Sequence, residues 1–127
     1  MRVAFVADVH VGNPQRFGGD IKAGINKRCQ MVLDSLAKAV VIAAANKSEY
    51  FVICGDLIDY VKIEPQIIAA IQLILRDAKR LGMQAVLLKG NHENVSQALG
   101  DHALGPLKPL ARIVEVPTTI THQDGSE

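Results

Sequence analysis

The chain reads as an α/β domain with a parallel-strand core in βαβαβ order, and three observations predict it. Val3–Ala7, Tyr50–Cys54 and Ala85–Leu88 are continuous apolar runs, as expected of parallel strands covered on both faces. Two stretches of helical periodicity separate them. Each run ends in a polar cluster: Asp8-Val9-His10, Gly55-Asp56-Leu57-Ile58-Asp59 and Gly90-Asn91-His92-Glu93. The crossover order favours a parallel sheet with right-handed connections.

After the first run, residues 11 to 23 hold Gly12, Pro14, Gly18 and Gly19 and few large apolar side chains, which predicts a long surface loop beside the strand end. From about Asn26 to Asn46, Val32, Leu33, Leu36, Val40 and Val41 recur at helical spacing, with Lys27, Arg28, Asp34 and Lys38 between them. This is the first crossover helix. The second is expected to begin near Glu64 and Pro65, because proline suits the first turn and a carboxylate suits the positive end of the helix dipole. Its buried stripe is Ile67, Ile68, Ile71, Ile74, Leu75, Ala78 and Leu81, and Gly82 is placed to end it.

Beyond Glu93 the pattern predicts a helical stretch over about Val95 to Leu104, breakers at Pro106 and Pro109, a strand over Arg112–Val116 and another over Thr118 to Thr121. The domain is read as residues 1–118, with 119–127 as a frayed tail.

With 127 residues, 49% hydrophobic and 21% charged, the composition is that of one globular domain. A formal net charge of +1 carries no polyelectrolyte signal toward nucleic acid or membrane, though a local basic patch is compatible with it. The first apolar run meets Asp8 after a few residues, too early for a signal peptide or a membrane span, so a cytoplasmic protein is expected. Cys29 lies in a helical pattern and Cys54 in a core strand, and both are read as buried, reduced thiols.

Parallel strands lie roughly 4.8 Å apart, so side chains at adjacent carboxyl ends can converge on one small volume. Carboxylate, amide-carbonyl and imidazole donors suit hard or borderline ions such as Mn, Fe or Zn. Phosphate-ester hydrolysis needs charge neutralisation on the phosphoryl oxygens and a nucleophile made from water. Two metal ions about 3.5–4 Å apart supply both. In this reading Asp56 bridges two ions, Asp8 and His10 hold one, and the Asn91 oxygen holds the other. His92 faces the scissile group, since an imidazole can act as acid or cation near neutral pH. Asp59 and Glu93 support the metal-binding and catalytic side chains from behind.

Asp-x-His, Gly-Asp-x-x-Asp and Gly-Asn-His-Glu, in that order, resemble the calcineurin-like metallophosphoesterase superfamily over residues 1 to about 118. The start Asp8-Val9-His10-Val11-Gly12 and the helix opening Asn26-Lys27-Arg28 look most like the SbcD-type nuclease subunits of double-strand-break repair. The resemblance implies the N-terminal half of a metallophosphoesterase α/β sandwich. It also implies a Mn-dependent DNA exonuclease and endonuclease with two divalent ions (Fe, Zn or Mg as alternatives to Mn), working as a homodimer with an SbcC-type coiled-coil ATPase. By motif match Asp8, His10, Asp56 and Asn91 are metal ligands and His92 is the catalytic histidine. Glu93 stands where nucleases more usually have aspartate. Asp59-Tyr60-Val61 replaces the Arg-Gly continuation of the serine/threonine phosphatases, which argues against a protein phosphatase.

Family members complete the site with a further histidine ligand and a Gly-His-x-His pair; this sequence has no Gly-His-x-His, and no ligand role is carried onto its remaining histidines, His102 and His122. Two octahedral ions need about ten or eleven coordination positions. The four ligands named, with Asp56 counted twice, fill only half of them, so a half-site is expected. A halved sandwich should expose an apolar sheet face and seek a partner or a second copy.

His102 and His122 are read as surface residues. Arg16, Lys22, Lys27, Arg28 and Lys89 flank the proposed site and are open to two readings, DNA phosphate contacts or solvated surface. Two other functions stay open: a phosphoesterase for small phosphodiesters or nucleotides, and a non-catalytic binding module or truncated remnant.

Overall fold

A computed structural model describes residues 1–12, 21–22 (backbone only), 24–58, 64–90 and 104–122. The strands are β1 (Val3–Ala7), β2 (Ile21–Lys22), β3 (Ile25–Asn26), β4 (Tyr50–Cys54), β5 (Gln84–Leu88) and β6 (Arg112–Val114). The helices are α1 (Lys27–Ala45) and α2 (Pro65–Arg80), and a short 3-10 turn spans Gly105–Leu107. Strands β1, β4, β5 and β6 form one parallel sheet in that order, so each crossover steps to the next neighbour. The small β2–β3 pair is antiparallel.

Local chemistry explains where the helices begin and end. Asn26 caps α1: its side-chain oxygen accepts the Cys29 N–H at 2.8 Å, satisfying one of the first-turn donors. Pro65 opens α2 behind Glu64, as expected. At the other end Gly82 takes φ +90°, its N–H donates to Lys79 O and the Met83 N–H to Ala78 O, each at 3.0 Å. That pair of bonds is a Schellman stop.

The core lies between one sheet face and the two helices. Phe51, Ile53, Ala85 and Leu87 point into it from the sheet, Leu33, Leu36 and Val40 from α1, and Ile67, Ile71 and Leu75 from α2. Two helix positions depart from expectation. Val41 is 60% exposed, because α1 turns its stripe through Cys29, Leu33, Leu36, Val40 and Ala43, and Val41 sits one residue, about 100°, past that line. Leu81 is exposed because the helix stops at Arg80 and the chain turns away.

The strands are not covered on both faces. Along β1 and β4 burial alternates, and on the face away from the helices Phe5, Val52 and Val86 sit side by side in register. Phe5 is 68% exposed and Leu88 36%, whereas Val52 is half-buried and Val86 4% exposed, so this apolar face is open at Phe5 and Leu88 and covered at Val86. Val114, Thr118 and Ile120 border it, and the chain leaves β6 along that side. No strand forms over Thr118 to Thr121. Of the expected frayed segment 119–127, residues up to His122 are placed and 123–127 lie outside the described residues. The expected helix over Val95 to Leu104 falls almost wholly outside them, as does His102.

Cys29 is buried and Cys54 half-buried, and neither is in a disulfide. Burial pushes the Cys29 thiol above its ordinary value of 9.0, a Gly12 backbone hydrogen bond pulls it down, and the Glu64 charge adds to the rise. The folded chain therefore holds this proton more tightly than the unfolded chain. Its contribution to stability is complete below the ordinary value and is lost as pH rises above it. Between pH 8 and 10 the unfolding midpoint should fall more steeply for the native sequence than for Cys29→Ala. Parallel pH profiles of the two would contradict the assignment.

Candidate metal centre

Asp8 and His10 follow β1, and Asp56 follows β4 across a single residue, Gly55. Because β1 and β4 are adjacent and in register through Ala7 and Cys54, their continuations emerge side by side. Beyond the strands the two chains stay zipped: His10 N–H donates to Asp56 O at 2.9 Å and Val11 N–H to Leu57 O at 2.7 Å, and Val11 bridges to Ile58. Val11, Leu57 and Ile58 are at most 1% exposed, so apolar burial clamps the segment beneath the polar side chains.

The backbone at these positions is unusual. Asp8, His10 and Asp56 have φ of 52°, 52° and 50°, the left-handed region that costs an L-residue about 1–2 kcal/mol. Among the described residues only Lys47 shares this conformation without being glycine. Strain of this kind persists where surrounding packing over-determines it, and here it coincides with the three polar side chains that converge.

One donor atom from each of Asp8, His10 and Asp56 lies within 4.8 Å of the other two. His10 Nε2 stands 3.9 Å from the Asp8 carboxylate, with the Asp8 side chain 78% exposed. Asp56 differs: its Oδ1 is buried and meets no hydrogen-bond donor among the described residues. A buried carboxylate oxygen without a partner is costly, and two carboxylates this close repel. A divalent cation between them would offset the repulsion, and oxygen and imidazole donors suit Mn, Fe, Zn or Mg. The residues present therefore fit a metal ion.

The third strand contributes through Gly90. A Cβ there would fall onto the Asp56 carboxylate oxygen and backbone nitrogen, so only glycine allows the chain after β5 to pass against Asp56. In the sequence Gly90 is the head of the Gly90-Asn91-His92-Glu93 cluster, with nothing to mark a contact with Asp56. The close approach became visible only once strand register was known. Asn91, His92, Glu93, Asp59 and Arg16 lie outside the described residues. Lys22 is in β2, while Lys27 and Arg28 are exposed in the first turn of α1. Lys89 is half-buried beside Gly90, its N–H bonded to Val114 O at 3.0 Å.

His122 is not a free surface residue. Its Nε2 contacts a Glu49 carboxylate oxygen at 2.6 Å and its Nδ1 lies 2.9 Å from the Tyr50 hydroxyl, leaving the side chain 18% exposed. Nothing in the spacing of residues 49, 50 and 122 signals this contact, which the returning chain creates.

The family model of the calcineurin-like phosphoesterases matches residues 1–122. The chain belongs to the calcineurin-like phosphoesterase family. No curated protein matches it. The phosphoesterase match covers the whole sheet and both helices, so the parallel α/β fold and the convergence of Asp8, His10 and Asp56 are features of a metal-dependent phosphoester hydrolase. Among the described residues no helix of this phosphoesterase is long and apolar enough to cross a membrane.

Proposed function

We propose that this chain supplies the first half of a two-metal centre that hydrolyses phosphodiester bonds in DNA, in the manner of the SbcD-type repair nucleases. The observation that carries the reading is the convergence of one donor atom each from Asp8, His10 and Asp56 within 4.8 Å, where Asp56 also keeps a buried Oδ1 without a partner among the described residues. Asp8, His10, Asp56 and Asn91 would hold the metal ions, with Asp56 shared between them. Bound metal ions neutralise the phosphoryl oxygens and lower the pKa of bound water.

The protein's own contributions follow from position. Gly90 packs against Asp56, and the proposal gives the two residues that follow it in sequence, Asn91 and His92, the roles of metal ligand and catalytic histidine. His92 donates a proton to the leaving oxygen or stands beside the phosphate as a cation, and Asp59 and Glu93 orient the imidazoles. Lys27, Arg28 and Lys89, with Arg16 and Lys22, contact DNA phosphates on either side and make binding salt-dependent. The open sheet face with Phe5 and Leu88 fits an assembly, either a homodimer or a complex with an SbcC-type ATPase.

The test is hydrolysis of linear duplex DNA and of bis(p-nitrophenyl) phosphate in Mn2+, alone and with the ATPase subunit, against His92→Ala. Metal-dependent DNA cleavage that falls about 10²–10⁴-fold in the variant is the expected result. Turnover of the small diester with intact DNA would instead assign the site to small phosphodiesters. No turnover in any combination would leave a binding module.

A further inference from the structure

A second polar concavity lies at the opposite edge of the sheet from the metal centre. It is a groove of about 750 Å³ at the amino ends of β4, β5 and β6, a volume within the range of small-molecule sites. Five-residue parallel strands separate the two edges by roughly 16 Å. We infer that this groove binds a phosphate-bearing anion of nucleotide size, independently of the metal centre.

Charge is the first argument. Lys79 from the end of α2, Lys108 after the 3-10 turn and Arg112 at the start of β6 all line the groove, each from a different element. All three are exposed, and none has a carboxylate partner among the described residues. The carboxylate that lines the groove with them, Glu49, is engaged by the His122 ring at 2.6 Å. The groove thus carries an excess of two formal positive charges in a chain whose whole net charge is +1. General basicity does not account for it, and clefts lined by one sign of charge concentrate counter-ions.

The second argument is the shape and chemistry of the walls. Met83, Ala85 and Leu110 provide an apolar floor beside the cations. The Tyr50 and His122 rings meet edge-to-face, 5.4 Å between centroids at 70°, and their mutual hydrogen bond holds them in place. Tyr50 and Glu49 are further fixed by the sheet, since the Gln84 N–H donates to Glu49 O at 2.9 Å. A phosphoryl group at the lysine and arginine heads, with a planar ring against the apolar floor and the aromatic wall, uses every part of this lining.

The experiment is calorimetric titration of AMP, and separately of inorganic phosphate, into the full chain with EDTA present to silence the metal centre. AMP is expected to bind more tightly than phosphate, and raising salt from 50 to 300 mM should weaken it. Lys108→Glu with Arg112→Glu should reduce AMP affinity at least tenfold. The neutral pair Lys108→Gln with Arg112→Gln, which keeps the size and polarity of these exposed positions, should reduce it in the same direction. Asp56→Ala should leave it unchanged. No AMP binding, or affinity unaltered in both double variants, or affinity lost in Asp56→Ala, overturns the site. Equal affinity for phosphate and AMP overturns the nucleotide assignment.

Discussion

Gly90→Ala should abolish measurable divalent-metal binding while leaving a folded chain. The added methyl has no free space: it meets the Asp56 carboxylate oxygen, its backbone nitrogen and its Cγ. Asp56 cannot retreat, because its carbonyl is held by the His10 N–H at 2.9 Å and Leu57 behind it is 1% exposed. The overlap is relieved only by moving the loop after β5 or rotating the carboxylate away from Asp8 and His10, and either movement dismantles the donor set. Overpacking of this kind costs about 1–3 kcal/mol of stability, well short of unfolding a domain of this size. Circular dichroism should show native secondary structure alongside a Mn2+ affinity reduced at least a hundredfold. Native affinity in a folded variant would mean that Asp56 is not a ligand.

Asp56→Asn should separate the cost of the empty site from the gain of the filled one. In metal-free buffer the half-buried native carboxylate has its Oδ1 buried without a donor among the described residues, and one of its oxygens lies within 4.8 Å of the donor atoms of Asp8 and His10. Neutralising it removes the repulsion from Asp8. The outward exposure of Asp8 screens that repulsion, so the variant should be more stable by only about 1 kcal/mol. In Mn2+ the order reverses. A ligand at a hundred times its dissociation constant adds about 2.7 kcal/mol to the native fold. The variant, lacking the charge that holds the ion, should gain little. Thermal unfolding of both proteins with and without Mn2+ checks the crossing, and a variant that gains as much as the native chain would remove Asp56 from the site.

How much of this was legible in sequence depends on how local each feature is. β1 and β4 were bounded to the residue, since Val3–Ala7 and Tyr50–Cys54 are short apolar runs cut off by Asp8 and Gly55. The α1 cap at Asn26 and the α2 start at Pro65 also follow from their own side-chain chemistry. Asp8, His10 and Asp56 could be placed together because parallel order brings strand ends side by side, and the structure does bring them together.

What failed was non-local. A continuous apolar run cannot say whether both faces of a strand are covered, and Phe5 is open although its neighbours in sequence are apolar. Val41 belongs to an apolar run whose line of burial only helix geometry resolves. The Gly90 contact with Asp56 depends on β4–β5 register, and the His122 contacts depend on the path of the chain after β6, neither of which is written in local spacing.

The measurement that bears most directly on the central claim is calorimetric titration of Mn2+ into the metal-free chain and into His10→Ala, Asp8→Ala and Asp56→Asn. A metal centre at the carboxyl ends of β1 and β4 predicts saturable binding by the native chain that weakens at least tenfold in each variant and most in Asp56→Asn. Native binding that none of the three substitutions alters would contradict it.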